Sequence, residues 1–160
     1  TEKTGLGAHL FHDWRYDEAG QPKEGFLLND PGLNHARLLI TGKNFGCGSS
    51  REHAVWALMD HGIYAVIAPG FSDIFHKNSL RNGLLPITVD VPRYEACLKA
   101  GARRAEFTVN LENNTVTADS LSFSFKIDPF ARNCLLQGID GLEFILRHED
   151  DIAAFEAKLY

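Results

Sequence analysis

The spacing of apolar residues changes along this chain, and each change marks a different kind of predicted structure. Residues 37–89 alternate short apolar runs with amphipathic stretches, which is typical of parallel strands joined by helices. Gly62 and Gly83 are predicted to end the two helices, and Ser72 is predicted to cap the second. The predicted elements are a strand at 37–41, a helix at 51–61, a strand at 64–68, a helix at 73–82 and a strand at 85–89.

Beyond residue 92 the pattern changes first to a short helix and then to strands with a period of two. Asn113-Asn114 marks a hairpin turn between alternating segments, so these strands are predicted to be antiparallel. Asp150 is predicted to cap the last helix of a helical tail. The predicted elements are a helix at 93–100, strands at 106–111, 115–119 and 121–127, and helices within 128–160.

Residues 1–36 show little regular periodicity and carry glycine, proline and aromatic residues instead. This composition predicts a long, partly mobile loop region with short structured pieces. With 160 residues, 44% of them hydrophobic, the chain is predicted to form one domain with a sizeable core. The predicted fold class is α/β, with a parallel β-α-β core, added antiparallel strands and a helical C-terminus.

The charge and the cysteine content limit which binding partners and which cellular compartment are expected for this chain. The net charge is −5 and no basic cluster is interleaved with aromatic residues, which argues against nucleic acid. No apolar run has the length of a transmembrane segment and no signal peptide is visible, so no membrane partner and a cytoplasmic location are predicted. Cys47, Cys97 and Cys134 are widely spaced, which argues for a reducing compartment and against a metal or iron–sulfur cluster held by this chain alone.

The segment from Gly42 to His53, GKNFGCGSSREH, carries the clearest functional signal, and we call it the glycine loop. It leaves an apolar strand and leads into a predicted helix, so its backbone N–H groups could approach an anion near a helix start. Arg51 adds a planar guanidinium that fits a carboxylate or a phosphate. A simpler explanation is a capping box, with Ser49 at the N-cap and Glu52 at N3, and the two interpretations are compatible.

The glycine loop lacks residues that dinucleotide-binding loops and P-loops require, and these differences indicate which anion it binds. A dinucleotide-binding loop needs a third small residue where this chain has Arg51, and an acidic residue near the end of the next strand, which ends here in alanine and proline. A phosphate-binding P-loop needs a lysine before its serine or threonine, and Gly48-Ser49-Ser50 has none. The loop therefore predicts a small carboxylate ligand, with serine hydroxyls beside it.

Residues 46–54, GCGSSREHA, resemble the signature of the swivelling domain of the aconitase superfamily. Segments near both ends resemble one branch in particular, the small subunits of bacterial 3-isopropylmalate dehydratase, also called isopropylmalate isomerase. Small subunits of this branch usually begin with a further segment, which is expected to be absent from this chain. The resemblance covers nearly the whole chain, through residues 4–7, 10–11, 13–16, 56–58, 67–69, 71–75, 78–79, 83–86, 128–132, 138–140 and 153–157.

This resemblance implies a fold, a partner and a reaction. The fold is the swivelling β/β/α domain, and the partner is a separate large subunit that carries a [4Fe–4S] cluster on three cysteines and closes the active site. The paired subunits remove water from 2-isopropylmalate and add it back to give 3-isopropylmalate in leucine biosynthesis. The open iron acts there as a Lewis acid. The small subunit is expected to be active only with its large subunit.

The resemblance also implies roles for individual residues of the glycine loop. Ser49 is the base that takes a proton from carbon, while Gly48, Ser50 and Arg51 bind the dicarboxylate substrate. A serine hydroxyl is hard to ionise, and a helix start together with the Arg51 charge would favour its alkoxide. The remaining polar residues of the loop, Glu52 and His53, are assigned to capping and packing rather than to proton transfer.

Two other functions are compatible with the same motif. A related hydro-lyase, such as a homoaconitase or a citraconate-type hydratase, would share the catalytic residues and differ only in the pocket for the substrate side chain. A stand-alone, non-catalytic carboxylate-binding module would use Ser49 only as a helix cap. Association with a cluster-bearing chain would separate an enzyme subunit from such a module.

Overall fold

The strands in the described part of the chain form two separate three-stranded sheets. The computed structural model describes residues 4–48 and 51–158. Its strands are β1 (Leu38–Ile40), β2 (Ala65–Ala68), β3 (Leu85–Thr88), β4 (Phe107–Asn110), β5 (Thr115–Ala118) and β6 (Leu121–Ser124). The first sheet is parallel in the order β1-β2-β3, and the second is antiparallel in the order β4-β5-β6. This architecture, with its helical C-terminus, confirms the predicted α/β fold class.

The helices lie between the parallel strands, before β4 and after β6. They are α1 (His12–Arg15), α2 (His53–Asp60), α3 (Asp73–Asn82), α4 (Val91–Ala102), α5 (Pro129–Gln137), α6 (Gly141–Leu146) and α7 (Glu149–Glu156). Three short 3₁₀ helices, Gly7–His9, Leu27–Asn29 and Pro31–Leu33, occur within the first 36 residues. The region predicted as a loop with short structured pieces therefore contains α1 and three single turns of helix among residues 4–36.

The predicted ends of α2 and α3 are confirmed. Gly62 has a φ of 99°, and its N–H donates to the Met59 carbonyl at 2.9 Å. The following N–H, of Ile63, donates to the Leu58 carbonyl at 2.9 Å, so the two bonds complete a Schellman motif after α2. At the start of α3, Ser72 Oγ accepts the Phe75 N–H at 3.3 Å, as expected of an N-cap.

Three other helix starts differ from the prediction. Helix α4 begins two residues earlier than predicted because Asp90 caps it and Pro92 lies in the first turn, where no backbone N–H is needed. Helix α2 begins at His53 rather than at residue 51. Helix α7 begins at Glu149, so Asp150 lies in its first turn and the predicted cap is wrong. A carboxylate in the first turn still suits the positive end of the helix dipole.

The parallel sheet is covered on both faces, which explains why every residue of β2 is buried. Side chains of alternate residues point to opposite faces, so Ile67 joins one hydrophobic cluster and Val66 joins the other. The first cluster includes Cys97 of α4 and residues of the antiparallel sheet, and burial raises the pKa of its thiol. The second cluster includes residues of α2 and α3, among them Val55, Leu58 and Phe75.

A hydrogen bond from the Gly7 N–H joins the N-terminal region to the end of α2. The Gly7 N–H donates to Asp60 Oδ2 at 2.7 Å, and the Gly7 carbonyl accepts from Nη1 of the buried Arg15 at 3.0 Å. A Cβ at Gly7 would lie 2.8 Å from the His61 nitrogen, so only glycine permits this approach. Burial, and then the Arg15 charge, lower the pKa of His61, although Asp60 acts in the opposite direction.

Helices α6 and α7 lie outside both hydrophobic clusters. Neither helix has a buried residue, and Leu142 and Phe155 are 66% and 63% exposed. The Phe144 ring packs edge-on against Phe130 of α5, with ring centroids 5.0 Å apart. Large exposed apolar side chains of this kind are typical of surfaces that associate with another molecule. No helix in the described part of the chain combines the length and the apolar character needed to cross a membrane.

We expect Asp60→Ala to lower the free energy of unfolding by about 1–3 kcal/mol, because it leaves the Gly7 N–H without its acceptor. Urea denaturation measures this change, and Glu95→Ala on an exposed position of α4 serves as the control, with a change below about 0.5 kcal/mol. If Asp60 acted only as a negative charge at the C-terminal end of α2, where the helix dipole disfavours it, Asp60→Ala would raise the stability instead.

Candidate functional site

The glycine loop leaves the C-terminal end of β1 and runs beside the segment that leaves β2. The Phe45 N–H donates to the Gly70 carbonyl at 3.1 Å, and the Ser72 N–H donates to the Phe45 carbonyl at 3.0 Å. These bonds form a parallel bridge between Phe45 and Phe71, beyond the end of the sheet. The loop therefore lies at the carboxyl edge of the parallel strands, where α/β sheets commonly bind ligands.

Gly46 is the position at which the loop is most tightly packed. Its φ is 81°, a conformation that favours glycine, and a Cβ built there would lie 2.2 Å from Cγ of Phe75. Phe75 is only 2% exposed, so its ring has no room to move away. The Gly46 carbonyl accepts a hydrogen bond from Ser72 Oγ at 3.0 Å. Gly46 is therefore fixed from two sides, by a buried ring and by a hydroxyl.

The other two glycines of the loop stand in open surroundings. Apart from the glycine itself and its two neighbours in the chain, no heavy atom of the described residues lies within 4 Å of a Cβ built at Gly42 or at Gly48. Gly48 and Cys47 are exposed. Packing thus explains why residue 46 is a glycine, while the open space at Gly48 leaves its backbone accessible to a ligand.

The rings of Phe11, Phe71 and Phe75 pack against Phe45 of the glycine loop. The Phe45 ring meets the Phe75 ring edge-on at 5.2 Å and the Phe71 ring edge-on at 6.4 Å, measured between centroids. Phe11 of the N-terminal region contacts Phe45 at 6.4 Å and stacks on Trp14 at 5.7 Å. This cluster was missed from the sequence, where the only signal was that Phe45 and Phe71 each follow an apolar strand by a few residues.

Two of the four predicted site residues lie in the part of the chain that the structure describes, and two do not. Ser49 and Ser50, the predicted base and one of the predicted substrate ligands, lie outside the described residues. Gly48 and Arg51 bracket them, and both are exposed. The Arg51 carbonyl accepts the Ala54 N–H at 3.3 Å, and Arg51 directly precedes Glu52, the N-cap residue of α2.

The start of α2 corrects the predicted capping box. Glu52 occupies the N-cap position without a side-chain capping bond, and its carbonyl accepts the Val55 and Trp56 N–H groups at 2.9 and 3.0 Å. Glu52 is therefore not at N3, three residues inside the helix. Its carboxylate lies 3.9 Å from Arg81 Nη1, and the His53 ring lies 4.8 Å from the Trp56 ring. These contacts are with neighbouring side chains of α2 and α3.

Helix α3, which follows the segment beside the glycine loop, carries a histidine whose pKa is shifted. His76 lies on α3 with its ring 6.0 Å from that of Phe71. Burial lowers the pKa of His76, and the nearby Asp73 carboxylate partly opposes that shift. The neutral imidazole is thus favoured beside the aromatic cluster.

The three cysteines lie in different segments of the chain. Cys47 is exposed in the glycine loop, whereas Cys97 and Cys134 are buried on α4 and α5. Among residues 4–48 and 51–158, no group of three histidine, cysteine, aspartate or glutamate side chains is placed to hold a metal ion. The donor set present in the described part of the chain therefore does not fit an iron–sulfur cluster.

A cavity of about 1100 Å³ opens between α3 and the C-terminal helices. Glu52, Arg81, Phe130 and Leu142 are among its lining residues, but Gly48 and Arg51 are not. The exposed part of the glycine loop therefore lies outside this cavity.

Two family models match the sequence. Residues 1–92 match a model described as the aconitase C-terminal domain, and residues 99–129 match a model described as LeuD_N. The first match covers β1 to β3 and the whole glycine loop. Together the two matches span both sheets.

Curated relatives and a solved structure carry a common name. The chain is 48% identical over 158 residues to the 3-isopropylmalate dehydratase small subunit of Koribacter versatilis, covering 97% of this chain and 81% of the relative. It is 48% identical over 161 residues to the protein of that name from Chloroflexus aurantiacus, covering 99% and 80%. The crystal structure of 3-isopropylmalate dehydratase from Methanocaldococcus jannaschii is similar with a TM-score of 0.50 and 25% identity, over 77% of this chain and 68% of that chain.

We expect Gly46→Ala to destabilise the protein strongly. The backbone conformation costs an alanine about 1–2 kcal/mol, and the overlap with Phe75 adds about 1–3 kcal/mol of overpacking. Gly42→Ala is the matched control in the same loop, since its new Cβ meets open space, and it should change the free energy of unfolding by less than about 1 kcal/mol. Equal stability of the two variants in urea denaturation would contradict the packing of Gly46 against Phe75.

Proposed function

Because this chain belongs to the small-subunit family of 3-isopropylmalate dehydratases, within the aconitase superfamily, we propose that its glycine loop supplies the substrate-binding and proton-transferring groups of that hydro-lyase. The enzyme interconverts 2-isopropylmalate and 3-isopropylmalate by dehydration and rehydration, in leucine biosynthesis. The observation that supports this role for the loop is its form: it is anchored at Gly46 and open at Gly48 and Arg51, at the carboxyl edge of the parallel sheet.

Gly48, Ser50 and Arg51 are the proposed substrate-binding residues. An isopropylmalate carries two carboxylates, and a guanidinium can bind one of them through two parallel hydrogen bonds. The open space at Gly48 supports a close approach of its backbone to the ligand, which a side chain at this position would obstruct. The Ser50 hydroxyl is proposed to donate a further hydrogen bond to the substrate.

Ser49 is the proposed base. It would accept a proton from the carbon next to a carboxylate and return it when water is added back. The difficulty is the weak acidity of a serine hydroxyl, which must lose its own proton first. A cationic neighbour such as Arg51 favours the ionised form of that hydroxyl. The position of Arg51, two residues after Ser49 in the sequence and directly before the N-cap of α2, supports this assignment.

A large subunit is the proposed partner, and it is proposed to carry the [4Fe–4S] cluster. The dispersed cysteines of this chain support that division, because a cluster needs several thiolates in one place. The exposed apolar side chains of α6 and α7 are compatible with association. Three free cysteines also support a reducing compartment, and we propose the cytoplasm.

We expect the purified chain to show no dehydratase activity and no iron–sulfur absorbance, because the cluster is proposed to reside on the large subunit. Activity should appear when the chain is mixed anaerobically with its cluster-bearing large subunit, and the large subunit alone is the control. A stoichiometric cluster bound to this chain alone would contradict the proposed division.

We expect Ser49→Ala to reduce kcat of the assembled enzyme by at least about 10²–10⁴-fold, the usual contribution of a positioned proton-transfer group. A serine without a catalytic role would leave turnover largely intact, and no capping energy of α2 should be lost with it, because Glu52 occupies that N-cap. Steady-state kinetics at saturating large subunit, together with urea denaturation, separate these two cases.

Ser49→Asp sharpens the same test. Because Glu52 rather than residue 49 occupies the N-cap of α2, the variant should fold and assemble, but its fixed negative charge would repel the substrate carboxylates and leave the enzyme nearly inactive. The assignment fails if Ser49→Ala and Ser49→Asp both assemble with the large subunit and keep most of the wild-type turnover.

A further inference from the structure

We infer that Ser72 is a positioning residue for the glycine loop, acting through the carbonyl of Gly46. Its hydroxyl proton holds that carbonyl in place, and the carbonyl in turn orients the peptide that leads to Cys47 and Gly48. This inference rests on the proposed function, since it assigns Ser72 to the orientation of the proposed site.

Ser72 contacts two consecutive peptide groups of the loop. Its backbone N–H donates to the Phe45 carbonyl at 3.0 Å, and its Oγ donates to the Gly46 carbonyl at 3.0 Å. The same Oγ accepts the Phe75 N–H at 3.3 Å as the cap of α3. A hydroxyl has one proton and two lone pairs, so the donor is used on the loop and an acceptor on the helix. Ser72 thus joins the glycine loop to the first turn of α3.

The bond to Gly46 lies where the loop changes from packed to open. On one side is Gly46, fixed against the buried Phe75, and on the other are the exposed Cys47 and Gly48. The packing on Phe75 fixes the Gly46 Cα, but glycine has more backbone freedom than any other residue, so the bond to its carbonyl is the restraint on the orientation of the peptide that follows. Rotation of that peptide would displace the residues that follow it. A displacement of about 1 Å at reacting groups can cost about 10²-fold in rate.

The capping role of Ser72 does not require the bond to Gly46. A cap needs only an acceptor for the Phe75 N–H, which aspartate provides as well as serine. A carboxylate has no proton to donate at neutral pH, so it cannot hold the Gly46 carbonyl. Threonine keeps both the donor and the acceptor. The two functions of the hydroxyl can therefore be removed separately.

The experiment compares Ser72→Thr, Ser72→Asp and Ser72→Ala, each assembled with the large subunit. We expect Ser72→Ala and Ser72→Asp to lower kcat by about 10–10²-fold, with a smaller change in KM, and Ser72→Thr to restore kcat to within a few-fold of wild type. Only the lost bond to Gly46 is common to the two impaired variants, because alanine adds no charge and aspartate keeps the cap.

Thermal unfolding distinguishes this role from helix stability. Ser72→Ala should lower Tm by about 2–4 °C through loss of the cap, whereas Ser72→Asp should retain Tm near the wild-type value. Asp128→Ala is the matched control, because the Asp128 side chain caps α5 by accepting the Ala131 N–H at 2.9 Å. It should lower Tm by a similar amount and leave kcat unchanged.

Ser49→Ala, measured in the same assay, separates this inference from the proposed function. Wild-type kcat in Ser72→Asp, with Ser49→Ala inactive, would overturn the positioning role and leave the proposed base standing. Reduced kcat in Ser72→Thr, equal to that of Ser72→Ala, would also overturn it, since threonine retains the donor. If Ser49→Ala keeps its turnover, the proposed base fails and the positioning role of Ser72 falls with it.

Discussion

The close approach of Gly46 to the buried ring of Phe75 is the constraint on which the candidate site depends. A side chain at residue 46 would overlap that ring, with only 2.2 Å between its Cβ and the ring Cγ. Phe75 belongs to the hydrophobic cluster that covers one face of the parallel sheet, so the loop rests directly on the core. Because protein interiors are close-packed and resist deformation, the position of Gly46 is determined by the core beneath it.

The features that could be predicted from the sequence are encoded within a few residues. The ends of α2 and α3 followed from Gly62 and Gly83, and the antiparallel strands followed from alternation and the turn at 113–114. The helix starts were less certain, because residues 49–52 offer several polar side chains that suit an N-cap and propensity does not choose among them. Helix α2 begins at His53, the last polar residue before the apolar residues Ala54 and Val55.

The contacts that support the candidate site could not be predicted in the same way. Phe45 meets Phe71 and Phe75 only because parallel strands end at a common edge, which brings together residues separated by some 30 positions. The contact of Asp60 with the Gly7 N–H joins residues 53 positions apart, and no local sequence pattern predicts it. The motif indicated which residues are proposed to carry the chemistry, whereas the packing that supports them depends on the assembled sheet.

Exposure of the loop explains in physical terms why its proposed chemistry needs a partner. Gly48 and Arg51 are in contact with water in the isolated chain, where the attraction between unit charges 4 Å apart is only about 1 kcal/mol. The same attraction rises several-fold when water is excluded, because the effective dielectric constant falls. An Arg51 charge that stabilises a serine alkoxide weakly in water would therefore do so much more strongly under a second subunit. The anchored base of the loop keeps its geometry ready for that subunit, and the open end provides the surface on which it would close.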